Sequence, residues 1–110
     1  MKLDMDALLK SMLTAAEKEL KARWPKARDY AGMEFQKILL EAQHIGELKD
    51  ANKITEQEAT YLMDLQRNAA RVVLLTIEGL GIIAVEAAIN AALDAVRAAI
   101  NAALGSWKIL

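Results

Sequence analysis

The feature that most constrains the fold is an apolar run from Val72 to Ile83. It lies inside a longer stretch, residues 55–104, that contains no proline. The only interruption in the run is Gly79-Leu80-Gly81, and a reversing loop normally carries polar turn residues, which Ile77 and Leu80 are not. We therefore favour one long helix over residues 55–104, either straight or kinked at Gly79–Gly81, over two helices joined by a loop.

The predicted length of this helix has a consequence for assembly. At the helical rise per residue, an unbroken helix over residues 55–104 would be roughly 75 Å long. One chain of 110 residues cannot cover a rod of that length. We therefore expect a homo-oligomer, most simply an antiparallel dimer. The sequence does not identify any other protein partner.

Two shorter helices are predicted before the long one. The first begins at Asp4 or Asp6, either of which can cap it. It ends at Trp24-Pro25, because the residue before a proline is pushed out of the α region. Pro25 then suits the first turn of a second helix, over about residues 26–48.

The clearest local signal is the capping box Thr55-Glu56-Gln57-Glu58, which marks the start of the long helix. The second helix and the long helix should form an antiparallel hairpin that turns near Ala51, and Gly105 should end the long helix. The predicted fold class is all-α: this hairpin plus a long C-terminal helix, one domain over residues 1–110, assembled as a homo-oligomeric helical bundle.

Composition excludes several classes of function. Lys and Arg total 14 and Asp and Glu total 15, and no basic patch suggests a nucleic-acid partner. There is no Cys, which excludes disulfides and thiolate metal sites. The acidic N-terminal segment does not fit a signal peptide, so we expect a cytoplasmic location. Glu78 and Glu86, without a compensating Lys or Arg between them, argue against membrane association.

Several charged side chains fall on faces of the predicted helices that are otherwise apolar. Buried charges are costly unless they are paired or bound to a metal, so these positions require an explanation. On the second helix they are Glu34 and Glu41, with His44 on the flank, and on the long helix they are Asp64, Arg67, Arg71 and Glu78.

One explanation is a metal site. Glu41-Ala42-Gln43-His44 has the Glu-x-x-His spacing that directs an acid and an imidazole to one metal. It resembles half of the ferritin-like dimetal signature. That resemblance implies iron or manganese in a helical bundle, with Glu41 and His44 as ligands and Glu34 or Glu78 as a further acid. The chain has a single His, so another subunit would have to complete the site.

The other explanation is a buried ion-pair network. In a hairpin that turns near Ala51, Glu34 lies level with the stretch between Arg67 and Arg71, and Lys37 can pair with Glu41 along the helix. We favour this explanation. It predicts a non-enzymatic, homo-oligomerising structural or interaction module without a cofactor. A ferritin-like metal-binding bundle is the alternative.

Overall fold

The computed structural model describes residues 3–105 and 107–110, and within these ranges the regular structure is entirely helical. This confirms the predicted all-α class. The described residues form four α-helices, and a 3₁₀ turn, Lys21–Arg23, joins the first two. The helices are α1 (Met5–Leu20), α2 (Trp24–Asp50), α3 (Glu56–Leu75) and α4 (Ile82–Ala103).

The predicted capping signals are present at the helix ends. The Asp4 carboxylate accepts a hydrogen bond of 3.2 Å from the N–H of Ala7 at the start of α1. At the start of α3, the Thr55 hydroxyl accepts from the N–H of Glu58 at 3.1 Å. The Glu58 carboxylate accepts from the N–H of Thr55 at 2.9 Å, which completes the capping box. Gly105 follows α4 with φ +69°, as expected for a residue that ends a helix.

The prediction of a single helix over residues 55–104 is wrong. The chain leaves the helical conformation after Leu75 and re-enters it at Ile82. Between these points the N–H of Leu80 donates to the carbonyl of Ile77 at 3.1 Å. Gly79 has φ +89°, as the third position of a type II β-turn requires. The molecule extends 43 × 23 × 18 Å, so helix length no longer requires an oligomer.

The break occurs in apolar sequence because the turn residues bury their side chains. Ile77 and Leu80 are only 9% and 7% exposed, and they close one end of the hydrophobic core. Burial of these two side chains stabilises the turn in the way that polar side chains stabilise a solvated loop. The polarity of a segment is therefore a poor guide to a loop that packs inward.

The junctions between the helices lie at two opposite ends of the bundle. The Arg23 guanidinium donates a hydrogen bond to the carbonyl of Gly79, so the α1–α2 and α3–α4 junctions meet at one end. At the other end, the Lys49 ammonium lies 5.2 Å from the centre of the Trp107 ring. α4 packs most extensively against α1, α2 packs against both α1 and α3, and α3 and α4 share a smaller contact.

The core lies between the helices. No helix in the described ranges combines the length and the apolar character needed to cross a bilayer. The largest fully buried side chains include Met12 of α1, Phe35, Ile38, Leu39 and Ile45 of α2, Leu74 of α3, and Ile89, Leu93 and Ile100 of α4.

The turn between α3 and α4 gives a prediction with a matched control. Gly79 has φ +89°, and a Cβ atom added to it would clash with the Arg23 guanidinium. We expect Gly79→Ala to lower the free energy of unfolding by about 1–2 kcal/mol, because an L-residue is strained there. Gly81 has φ −92°, and a Cβ atom added to it would have no neighbour within 4 Å. Gly81→Ala should therefore leave stability unchanged or raise it by up to about 1 kcal/mol. Urea unfolding of both variants measures the difference, and equal effects would contradict the assigned turn.

Candidate functional site

The four residues predicted as metal ligands are not brought together. His44 is exposed on α2, and its Nδ1 lies 4.0 Å from the Glu47 carboxylate. Glu78 lies in the turn beside Gly79, at the end where α2 begins. His44 is roughly 30 Å further along α2 and Glu34 roughly 15 Å. Within residues 3–105 and 107–110, no three His, Asp or Glu side chains form a group that could hold a metal.

Of the predicted ion-pair residues, Glu34 and Lys37 do meet. The Glu34 side chain is 2% exposed, and the Lys37 ammonium lies 3.1 Å from its carboxylate, one helical turn away. Lys37 therefore pairs with Glu34, whereas the sequence predicted a pair with Glu41. Glu41 is half-buried at the edge of α2. The pair is local to α2 and does not extend to α3.

The two arginines of α3 turn away from Glu34. The Arg71 guanidinium donates to the Glu86 carboxylate of α4. Arg67 lines a cavity of about 190 Å³ together with Asp64 and Ile109. At about 100° per residue, Arg67 and Arg71 lie on the α4 side of α3. The residue numbers of a hairpin predict how far along the helix axis a side chain lies, but not the direction in which it points around the helix.

The most distinctive exposed feature is a row of apolar side chains along α3. Tyr61, Leu65, Val72 and Leu75 are 64%, 45%, 63% and 39% exposed, and Asn68 lies between Leu65 and Val72. The spacing alternates between four and three residues, which is the spacing of heptad a and d positions. We call these five residues the outer stripe.

The outer stripe lies opposite the buried side of the same helix. The buried residues of α3 are Ala59, Met63, Ala70 and Leu74. At about 100° per residue, their mean direction differs from that of the outer stripe by roughly half a turn. A surface helix of a monomeric bundle normally has one apolar side. α3 has two, and its own bundle covers only one of them.

α2 carries a similar but less apolar row. Tyr30, Met33 and Leu40 are 48%, 52% and 53% exposed. The charged Lys37 lies between Met33 and Leu40, and the exposed His44 follows Leu40 by one helical turn. A partner helix on this row would have to desolvate Lys37, whose ammonium already neutralises Glu34. The outer stripe of α3 is therefore the better candidate for a contact surface.

The outer stripe was missed in the sequence although its signal was present. The alternating spacing from Tyr61 to Leu75 can be read directly from the sequence. Placing Leu74 and Leu75 on one side of the helix conceals the outer stripe. Neighbouring residues of a helix point about 100° apart, so the two leucines lie on different sides. Leu74 is fully buried and Leu75 is exposed. Separating the two sides shows two apolar rows on one helix.

Comparisons with protein-family models, with curated proteins and with solved structures each found no match. The candidate site is therefore defined by geometry alone. It is the exposed apolar row on the side of α3 that faces away from the core.

Proposed function

We propose that this protein is a non-enzymatic helical module that self-associates, and that the outer stripe of α3 is its contact surface. One observation carries the proposal: a heptad-spaced apolar row stands exposed on the side of α3 that faces away from its own core. Each square ångström of apolar surface removed from water contributes roughly 25 cal/mol. Covering four large apolar side chains is therefore favourable.

The spacing of the outer stripe indicates that the covering element is a helix. Apolar side chains that alternate at four and three residues form a straight seam along one helix, and a second helix fits such a seam by inserting its side chains between them. The 20 residues of α3 give a seam of roughly 30 Å. Asn68 at its centre accepts a hydrogen bond of 2.6 Å from the Arg71 guanidinium of the same helix, so its side-chain oxygen already has a partner.

The ferritin-like alternative has less support. In the described part of the chain, Glu41 and His44 are not joined by a third acid or imidazole. His44 instead lies near Glu47, and both side chains are well exposed to solvent. The function that fits the described geometry best is assembly of helices.

A pair of lysine substitutions tests the contact surface. Leu65 of the outer stripe and Leu40 of α2 are 45% and 53% exposed. Because a charge in a paired apolar seam must be desolvated, we expect Leu65→Lys to weaken self-association at least about tenfold, which corresponds to about 1.4 kcal/mol. Leu40→Lys makes the same chemical change outside the stripe and should leave association nearly unchanged. Light scattering after size-exclusion chromatography measures both.

The melting temperatures of the two variants serve as the control for folding. Both leucines are exposed, so both variants should melt close to the unmodified protein. If Leu40→Lys disrupts the assembly and Leu65→Lys does not, the contact surface lies on α2. If neither variant changes the molar mass of an associating protein, the outer stripe is not the interface.

A further inference from the structure

We infer that α3 of one copy pairs with α3 of a second copy in antiparallel orientation, with Tyr61 opposite Val72 and Leu65 opposite Asn68 of the second copy. A two-fold axis between the copies relates the two helices. This inference rests on the proposed self-association and names its partner and its geometry.

The heptad spacing restricts an antiparallel pair to a small number of registers. When two identical helices run in opposite directions, each heptad a position faces a d position of the other copy. On α3 this leaves two registers in which four of the five outer-stripe residues face one another. In the first, Tyr61 faces Val72 and Leu65 faces Asn68. In the second, Leu65 faces Leu75 and Asn68 faces Val72.

The charges beside the outer stripe select the first register. Asp64 and Arg71 lie on the same flank of the stripe, seven residues apart in the sequence. In the first register Asp64 of each copy faces Arg71 of the other. The two-fold symmetry therefore gives two equivalent Asp64–Arg71 ion pairs. In the second register Arg71 faces Arg71. Like charges across such a contact are unfavourable and opposite charges are favourable, so the charges favour the first register.

Arg71 is already held at the edge of the outer stripe. Its guanidinium donates to the Asn68 side-chain oxygen at 2.6 Å and to the Glu86 carboxylate. A guanidinium has five N–H donors, so these contacts leave donors for another carboxylate. Asp64 is exposed, and within the described residues it makes no ion pair.

The other flank of the outer stripe is compatible with the same register. It carries Leu62 and Ala69, which would face each other across the axis without placing a charge in the contact. An open groove at the beginning of α3 is lined by Ile54, Tyr61 and Leu62, among others. The first register brings Val72 and Leu75 of the second copy to this level, so that their side chains cover the groove.

A parallel pair lacks this complementarity. Identical residues of two parallel helices stand at the same height, so Asp64 lies level with Asp64 and Arg71 with Arg71. Neither charge then gains a partner of opposite sign. The self-complementary arrangement of Asp64 and Arg71 is specific to antiparallel pairing.

Single cysteines provide a direct test, because the chain contains no Cys of its own. Tyr61 and Val72 are both well exposed, so Tyr61→Cys and Val72→Cys should both fold. Under mild oxidation, an equimolar mixture of the two variants should form a disulfide that joins position 61 of one chain to position 72 of the other. Each variant alone should form little covalent dimer, because identical positions are then offset by roughly 16 Å along the helix. Intact mass spectrometry distinguishes the mixed dimer from the two symmetric ones.

The outcomes separate this inference from the proposed function. Symmetric dimers of each variant alone, with little mixed product, would show a parallel pair and overturn the register. Association of the reduced variants without an excess of mixed disulfide would also overturn it while leaving self-association intact. A reduced protein that stays monomeric from about 1 μM to about 1 mM would instead contradict the proposed function itself.

A charge substitution gives a second readout of the same register. Asp64→Arg places like charges at both ion pairs and should raise the dissociation constant at least about tenfold. Asp64→Glu keeps the charge and should leave the constant within about twofold of the unmodified value. Equal dissociation constants for the two variants would show that Asp64 does not face Arg71.

Discussion

Leu80→Ala is expected to lower the free energy of unfolding by about 2–3 kcal/mol. Leu80 is 7% exposed and closes the end of the core beside the α3–α4 turn. Removing most of its side chain loses transfer free energy and leaves a cavity that the neighbouring helix ends cannot fill completely. Urea unfolding measures this loss of free energy. The slope of the unfolding free energy against urea concentration should be the same for Leu80→Ala and the unmodified protein.

Ile83→Ala is the matched control. Ile83 stands three residues after Leu80 and is 84% exposed, so its truncation should cost less than about 0.5 kcal/mol. In a continuous helix, residues three apart share a side and would be buried or exposed together. Similar losses for both variants would therefore contradict the turn at Ile77–Leu80.

Lys37→Met is expected to lower the free energy of unfolding by about 2 kcal/mol, because it leaves the buried Glu34 carboxylate without its cation. The Lys37 side chain is about half exposed whereas the Glu34 side chain is 2% exposed. Solvent therefore screens part of the attraction, and the expected cost falls below the range for fully buried pairs.

Glu34→Met supplies the opposite case. It removes the buried charge and replaces it with an apolar side chain of similar length, so stability should be unchanged or higher. Lys37→Met added to Glu34→Met should cost less than about 0.5 kcal/mol. Calorimetry on the four members of this cycle measures the coupling. A cost of Lys37→Met that is equal in both backgrounds would show that the pair does not stabilise α2.

Local signals in the sequence predicted the starts of α1 and α3 and the end of α4 correctly, but the predicted end of the first helix at Trp24-Pro25 is wrong. α1 ends at Leu20, and Trp24 is already the first helical residue of α2. Asp4, the capping box at Thr55 and Gly105 each act where their backbone chemistry predicts. These signals depend on a few neighbouring residues, so tertiary packing does not override them. The break between α3 and α4 depends on tertiary packing, since Ile77 and Leu80 form a turn only because the core end accepts their side chains.

The candidate site was harder to predict for a related reason. Periodicity shows that apolar residues share a side of a helix, but it does not show whether the same bundle covers that side. In α3 one apolar side is buried around Met63 and the other is exposed around Leu65. The direction of Arg71 toward Glu86 likewise depends on where α4 returns. That path cannot be predicted while α3 and α4 are treated as one helix.

Sedimentation equilibrium of the unmodified protein shows whether two copies associate through α3. A contact of one helix pair is small for a protein interface, so we expect reversible association with a dissociation constant in the range of about 1–100 μM. The weight-average mass should rise from one chain toward two across about 1 μM to about 1 mM. A mass that stays at 12.1 kDa over this whole range would contradict self-association.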